Sequence, residues 1–305
     1  MTTATGTTRP LTLPEREHTA ARLLQASEKH SFDPIVDVDW DAPLAEDMPF
    51  APLHRSSLYG TAMWNGMSAG QRIELTKHEV ASIASVGIWF ESVLMQMLIR
   101  HTYDRDPTSG HVQYALTEIA DECRHSVMFA RMIEKLGCPA YGPGRTAHAL
   151  GRFFKATSTG PLTFGATLYV EALLDTLQRE AMDDPAVQPL VRTVSKIHVV
   201  EESRHIRYAS EELARQCERL SAPARAYMKI ALAVSATLAT ANLIHPRVYA
   251  AVGLDPATAR REAARNPHWR ATKAWMARKV VAEFDRIGLI DGPARAVWSR
   301  ARLLG

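Results

Sequence analysis

Hydrophobic residues recur at helical spacing along most of the 305-residue chain. Apolar positions three and four residues apart predict amphipathic helices, and no alternating run is long enough to predict a sheet. Prolines near helix starts and glycines near helix ends help to set the boundaries. The sequence therefore predicts an all-α protein, with helices over 14–30, 68–102, 110–136, 147–156, 161–182, 185–220, 221–244, 256–265, 267–287 and 293–304.

The segments between the predicted helices differ in composition. Gly137 and Pro139 follow the second long helix, where a left-handed glycine and a missing amide are a stop signal. Residues 33–52 contain four prolines and many aspartates, which predicts an extended strap over the surface. Residues 1 to about 12 are expected to be disordered.

One five-residue pattern occurs twice. The sequence DECRH at 121–125 returns 80 residues later as EESRH at 201–205, in both cases within a predicted helix. Positions i and i+3 share a helix face, so Glu122 with His125 and Glu202 with His205 each direct a carboxylate and an imidazole to one point. Two such pairs, with one Glu from each of two further helices, are the ligands of a two-metal centre inside a four-helix bundle.

Two isolated glutamates complete that ligand set. Glu91 lies in IWFESVLM and Glu171 in LYVEALLD, surrounded by apolar residues on all sides. A buried, unpaired carboxylate is costly unless a cation compensates for it. His198 precedes Glu202 by four residues and is predicted to be a seventh ligand on the same helical stripe. Carboxylates and imidazoles without cysteine suit iron or manganese.

Residues next to the predicted ligands have candidate supporting roles. An acid directly before a liganding Glu can accept the second N–H of an imidazole, which makes Asp121 and Glu201 candidates. Arg124 and Arg204 are expected to pair with these two acids. The predicted architecture is a ferritin-like four-helix bundle with additional flanking helices at both ends. Residues 1–40 form a tail and short helix, and 41–305 form one domain, with the core bundle at about 68–220 and extra C-terminal helices at 221–305.

Composition narrows the function classes. The formal charge of +3 and the pI of 8.8 come with basic residues scattered among acids, which gives no support for nucleic-acid binding. Three irregularly spaced cysteines do not predict a disulfide framework. No signal peptide is predicted, and no uninterrupted run of 18 apolar residues occurs. A cytoplasmic protein that does not span a membrane is expected.

The ligand pattern resembles a known family. The seven predicted ligands are similar to those of the bacterial di-iron arylamine N-oxygenases, which oxidise p-aminobenzoate or the amine precursor of chloramphenicol to nitro compounds. The resemblance covers roughly residues 70–285, and the extra histidine at His198 is the feature that separates this family from oxygenases with six protein ligands.

The resemblance implies an activity, a cofactor and partners. The cofactor would be two iron ions, with manganese as a mis-loaded metal, and O2 would be the co-substrate, activated as a peroxo-di-iron species. An aryl amine would be oxidised to a hydroxylamine, nitroso or nitro product, in secondary metabolism such as antibiotic biosynthesis. The resemblance also implies a homodimer and an external electron donor, a reductase or a ferredoxin.

The substrate site is predicted from residues near the ligands. Trp89, Phe90, Leu94, Leu168 and Leu174 are expected to form an apolar pocket, which would suit a larger or neutral aryl amine better than p-aminobenzoate. Arg278 is a candidate cation for a substrate carboxylate. Other roles for a ferritin-like metal protein remain open at this stage: C–H hydroxylation or desaturation, iron oxidation or storage, and manganese-dependent peroxide dismutation.

Overall fold

The structure, a computed structural model, describes residues 15–304, and every regular element within them is helical. The all-α prediction is confirmed. The disorder expected for residues 1 to about 12 lies outside the described residues. The helices are α1 Arg16–Lys29, α2 Ala62–Asn65, α3 Ala69–Thr102, α4 Gly110–Lys135, α5 Arg145–Thr157, α6 Pro161–Asp183, α7 Pro189–Glu218, α8 Ala222–Ala241, α9 Arg247–Ala250, α10 Pro256–Arg265, α11 Pro267–Arg286 and α12 Gly292–Arg300, with a 3-10 helix at Leu53–Arg55.

Most helix ends lie within a few residues of the predicted positions. The largest difference at a long helix is the start of α7 at Pro189, because Asp184 caps a turn by accepting hydrogen bonds from the backbone N–H groups of Ala186 and Val187. The 3-10 helix, α2 and α9 were not predicted, since three or four residues are too few to show a helical period.

Helices α3, α4, α6 and α7 form a four-helix bundle. Each packs against two others in the order α3, α4, α7, α6 and back to α3. The remaining helices cover this bundle from both ends of the chain: α1 lies on α4 and α7, α5 on α3, and α8 and α11 on α6. The bundle therefore has additional helices at both ends, as the sequence predicted.

Local sequence signals fix the ends of the bundle helices. Ser68 and Gln71 form a reciprocal capping box at the start of α3, which satisfies two otherwise unpaired amides. Gly137 follows α4 with a φ of +63°, the left-handed conformation expected of a glycine after a helix. These local features fix where α3 begins and where α4 ends.

Helix α3 is long and apolar enough to cross a membrane by length and composition. Half of its most apolar window is buried inside the protein, and the helix contributes a buried glutamate to the interior of the bundle. These observations identify α3 as a core helix of the bundle. The expected cytoplasmic location stays a prediction.

The segment between α1 and α3 folds over the bundle and contains no helix over 33–52, in agreement with the predicted strap. Further along this segment, Ser57 donates two hydrogen bonds to Glu79 Oε1 of α3, from its backbone N–H at 3.0 Å and from its hydroxyl at 2.5 Å. The Tyr249 hydroxyl lies 2.9 Å from Ser57 Oγ. Burial raises the pKa of Glu79 to about 7.

Candidate metal centre

Four helices bring the seven predicted ligands together in the bundle interior. All seven side chains are buried: Glu91 on α3, Glu122 and His125 on α4, Glu171 on α6, and His198, Glu202 and His205 on α7. Glu202 is central, because its Oε1 lies 3.3 Å from His198 Nε2, 3.4 Å from His125 Nδ1 and 3.3 Å from His205 Nδ1. Ligation by these residues remains a prediction.

Donor atoms of six of the seven residues fall into two overlapping groups, and Glu171 belongs to neither group. In one, atoms of Glu122, His125, Glu202 and His205 all lie within 4.8 Å of one another. In the other, the same holds for Glu91, His125 and His198. Two adjacent groups that share a residue form a buried carboxylate and histidine cluster able to bind a di-metal centre.

Each motif histidine is oriented by an acid from the opposite motif. His125 Nε2 lies 2.7 Å from Glu201 Oε2, and His205 Nε2 lies 3.2 Å from Asp121 Oδ2. This crossed pairing leaves the Nδ1 atoms of both rings facing the Glu122 and Glu202 carboxylates. Such hydrogen bonds to the outer nitrogen fix the tautomer of a metal-binding imidazole.

Arg124, Arg204 and the backbone that follows α1 enclose Asp121 and Glu201. Arg124 donates to Asp121, and Arg204 Nη2 lies 3.6 Å from Asp121 and 3.8 Å from Glu201. Glu201 Oε1 also accepts a hydrogen bond of 3.0 Å from the backbone N–H of Phe32. The two outer acids therefore have positively charged partners of their own.

The buried carboxylates of the cluster create a negative potential that favours cations and protonated groups at its centre. Burial raises the pKa of Glu171 well above its ordinary value, and the carboxylates of Glu202, Glu118 and Glu122 raise it further. Burial alone would lower the pKa of His205. The neighbouring Glu202 carboxylate and the hydrogen bonds that the ring donates to carboxylates, including Asp121, nevertheless raise that pKa well above its ordinary value.

The residues present fit a pair of divalent cations. Both carboxylate oxygens of Glu171 are buried without a hydrogen-bond partner, a costly arrangement that bound cations would relieve. Two divalent ions would also balance the four inner carboxylates with all three imidazoles neutral. Asp121 and Glu201 are balanced separately by Arg124 and Arg204. The donor set contains oxygen and nitrogen only, which suits iron and manganese.

A cavity of about 410 Å³ opens onto this cluster. Its floor includes five of the predicted ligands, and its walls come from α3, α5, α6 and α8. The five floor residues are Glu91, Glu122, Glu171, His198 and Glu202. A small molecule in the cavity would therefore meet the predicted metal centre directly.

The predicted substrate residues divide into two groups. Trp89, Phe90, Leu94 and Leu174 line the cavity. Leu168 and Arg278 are not among the lining residues in the described part of the chain: Leu168 is buried in the core, and Arg278 is exposed on α11. Leu168 precedes Glu171 by three residues on α6, but its side chain packs in the buried core, and α11, which carries Arg278, packs against α6.

The structure adds residues that sequence reasoning missed. Ser126 donates to Glu91 Oε2 at 2.5 Å, and Gln178 Oε1 lies 2.6 Å from His198 Nδ1. The hydroxyl of Thr167, on the cavity wall, is buried without a hydrogen-bond partner. Gly151 of α5 packs so closely on Trp89 that a Cβ at residue 151 would overlap the indole. Thr167 and Gln178 precede and follow Glu171 by four and seven residues, a helical spacing that was available as a signal.

Known proteins resemble this chain at two levels. The profile of the family described as "p-aminobenzoate N-oxygenase AurF" matches residues 13–288. Uncharacterized proteins of Mycobacterium bovis and Mycobacterium tuberculosis are each 28% identical over 238 residues, covering 75% of this chain and 70% of theirs. A mutant R2-like ligand-binding oxidase with an anaerobically reconstituted Mn/Fe cofactor has the same fold, with a TM-score of 0.50 at 11% identity, covering 90% of this chain and 94% of the other.

Proposed function

Because the chain belongs to the p-aminobenzoate N-oxygenase AurF family, we propose that it is a di-iron oxygenase that transfers oxygen from O2 to the nitrogen of an aryl amine. The product is a hydroxylamine, nitroso or nitro compound. The observation that carries this proposal is the position of the carboxylate and histidine cluster on the floor of an apolar cavity. A substrate in that cavity has its reacting end at the metal centre.

The side chains of such a site have two roles, metal binding and orientation of the ligands. Glu91, Glu122, Glu171, Glu202 and the three histidines His125, His198 and His205 would hold the two ions. When bound, a reduced di-iron centre supplies the electrons that activate O2. Asp121 and Glu201 hold the outer nitrogens of two imidazoles, so the inner nitrogens stay directed at the metal positions.

The cavity wall excludes water from the reacting end. Apolar side chains from four helices surround the floor, and a dry environment strengthens every electrostatic interaction at the cluster. Trp89 and Phe90 line the cavity with their rings in mutual contact, the centroids 5.0 Å apart. The ring of a substrate packs against this aromatic pair with favourable ring contacts.

The proposal includes partners. An external reductase or ferredoxin returns electrons to the centre, and the active protein is a homodimer in the cytoplasm. Nitro compounds of this origin belong to secondary metabolism, including antibiotic biosynthesis. Each of these points rests on the family, and the oxygen intermediate expected from the resemblance also stays a prediction.

A second candidate function is C–H hydroxylation or desaturation at the same centre. It is favoured by the apolar walls, which offer contacts to hydrocarbon as readily as to an aryl amine. Iron storage and manganese-dependent peroxide dismutation have less support, because neither needs an apolar cavity of about 410 Å³ beside the metal.

The test is single turnover by iron-loaded, chemically reduced protein mixed with isotopically labelled O2 and a panel of aryl amines. We expect labelled oxygen in an N-oxygenated product, detected by mass spectrometry. The same experiment with His198→Ala should retain iron and lose or redirect the oxygen chemistry. Manganese-loaded protein is run in parallel, because the R2-like oxidase of the same fold carries a Mn/Fe cofactor.

The control variant is Val127→Ala, on the exposed surface of α4 and outside the cavity, which should behave as wild type. Labelled oxygen on a carbon atom, with the nitrogen unchanged, would contradict N-oxygenation and support C–H hydroxylation instead. Oxidation of iron without any labelled organic product would contradict both oxygenase functions. Unchanged turnover by His198→Ala would contradict a ligand role for His198.

A further inference from the structure

We propose that the cavity takes an uncharged, elongated aryl amine, with its nitrogen at the metal centre beside the Thr167 hydroxyl and an apolar tail that leaves through a mouth between α5 and α8. The inference rests on the proposed function, which supplies the amine. The size, wall chemistry and mouth of the cavity supply the rest.

The cavity is larger than a single aromatic ring requires. An apolar cavity of about 150 Å³ holds one benzene molecule, whereas this one measures about 410 Å³. The remaining space lies among apolar side chains of the surrounding helices. A ring with a chain of several carbons fills this volume, and filling it removes apolar surface from water on both sides.

The described wall residues offer no cationic partner for an anionic substrate. Among its described lining residues there is no lysine or arginine, and the charged groups are the glutamates of the floor. Several polar wall groups are already engaged: Tyr169 with Thr240 at 2.6 Å, Ser235 with the Ala231 carbonyl at 2.8 Å, and Thr157 with the Phe153 carbonyl at 2.9 Å. A carboxylate such as that of p-aminobenzoate would be desolvated here without compensation.

Among the described residues of the wall, Thr167 is the one whose buried side-chain polar atom has no hydrogen-bond partner. Its side chain is 6% exposed, and its hydroxyl has no hydrogen-bond partner. Thr167 precedes Glu171 by four residues on α6, so its hydroxyl lies one helical turn from a floor carboxylate. A ligand with one hydrogen-bonding group at the metal end and hydrocarbon elsewhere satisfies this hydroxyl. We therefore assign Thr167 as a positioning residue for the amine.

The mouth of the cavity is rimmed by exposed apolar side chains. Helices α5 and α8 contribute lining residues that are between 36% and 69% exposed, an unusual position for large hydrophobic groups. They are Leu150, Phe153, Tyr227, Ile230, Val234 and Leu238. The apolar surface continues from the wall to the outside, so a tail that outgrows the cavity still contacts hydrocarbon instead of water.

The experiment measures equilibrium binding of a homologous series to metal-free protein and to anaerobic iron-loaded protein, where no turnover occurs. The series is 4-methyl-, 4-butyl- and 4-hexylaniline, with p-aminobenzoate and hexylbenzene as comparison ligands. We expect Kd to fall by about fourfold per added methylene until the chain passes the mouth. On this basis 4-hexylaniline should bind at least about 100-fold more tightly than p-aminobenzoate.

Two variants separate the amine end from the tail end. Thr167→Val should weaken binding of 4-butylaniline by about five- to tenfold and leave hexylbenzene unchanged, because a single hydrogen bond is lost; Thr167→Ser should restore the affinity. Val234→Asp at the mouth should weaken 4-hexylaniline by at least about fivefold and leave 4-methylaniline unchanged. Its matched control is Val127→Asp, on an α4 position that is 51% exposed and outside the cavity.

The outcomes separate this inference from the proposed function. A flat chain-length series, or p-aminobenzoate binding as tightly as 4-hexylaniline, would overturn the inference even if p-aminobenzoate were N-oxygenated. Tight binding of 4-hexylaniline without any N-oxygenation would support the inference about the cavity and contradict the proposed reaction. Equal weakening of amine and hexylbenzene by Thr167→Val would remove Thr167 as a positioning residue.

Discussion

Glu79 and Glu91 are buried carboxylates on the same helix, α3, with side chains 4% and 8% exposed. Glu79 is enclosed by a surface segment and receives two hydrogen bonds from Ser57. Glu91 receives one from Ser126, and His198 Nε2 lies 3.8 Å away. Burial raises the pKa of both, which shows that burial alone does not distinguish them.

The difference lies in the partners that each carboxylate meets. Glu79 is neutral at acidic pH and has hydroxyl and amide donors, a complete arrangement that requires no ion. Glu91 faces histidines, further carboxylates and an open cavity. Several carboxylate oxygens around it are buried without a hydrogen-bond partner. Several acids and imidazoles that converge beside a cavity are therefore better support for a metal centre than a buried acid alone.

The largest expected effect comes from removing the centre of the cluster. Glu202→Ala deletes the carboxylate that lies beside all three histidines, so we expect loss of bound iron. At a metal concentration about 1,000 times Kd, wild-type protein gains about 4 kcal/mol of unfolding free energy from binding. Thermal unfolding with and without a chelator should show this difference in wild type and none in Glu202→Ala.

Glu79→Gln is the control for that experiment, because it alters a buried carboxylate outside the cluster. It should keep the full metal content and the full response to chelator. A chelator response in Glu202→Ala equal to that of wild type would show that the metal binds elsewhere.

The next effect concerns Glu79 and pH. Its pKa is about 7 in the folded protein against an ordinary value of 4.5, so the folded state retains the proton longer than the unfolded chain. The contribution of Glu79 to the free energy of unfolding is therefore fully present below pH 4.5. It is lost as the pH rises to 7, a change of up to about 3 kcal/mol. Relative to Glu79→Gln, wild type should lose about that much between pH 5 and pH 8, measured by denaturant unfolding.

Because the other titrating groups are common to both proteins, the comparison isolates Glu79. A stability difference between the two proteins that is independent of pH would show that Glu79 is ionised across the range. The hydrogen bonds from Ser57 would then outweigh its burial.

The smallest effect sharpens the metal side of the comparison. Asp121→Asn keeps the size of the side chain that orients His205 but removes its charge, so we expect metal affinity to fall by about 10- to 100-fold. Competition with a chelator of known affinity measures the change. Glu201→Gln should act similarly on His125. Wild-type affinity in both variants would show that these acids do not support the ligands.

The helices and the cluster could be predicted because their signals are local. Glu122 with His125, and Glu202 with His205, lie three residues apart, a spacing that a helix converts directly into a shared face. Glu91 and Glu171 were identified by apolar neighbours on all sides. Glu79 lies beside Lys77 and His78, which suggests a solvated face, and it is buried only because the segment around Ser57 folds over it.

The cavity wall could not be predicted in the same way. Sequence reasoning placed the wall on the ligand helices and searched for a cation at Arg278, but half of the wall comes from α5 and α8. The contact of the Phe32 amide with Glu201 likewise joins residues 169 positions apart. Such contacts depend on how whole helices and loops pack, and no short sequence pattern specifies that packing.

The glycine at position 151 has a consequence for engineering and for comparing relatives. Because a Cβ there would overlap the Trp89 indole, a larger residue must push the ring inward or move α5 outward. The dimensions of the cavity thus depend on a position that contributes no side chain to it. A mutant library aimed at a smaller or larger amine gains by varying Gly151 and Trp89 together, and an inventory of pocket-facing side chains would overlook the first of them.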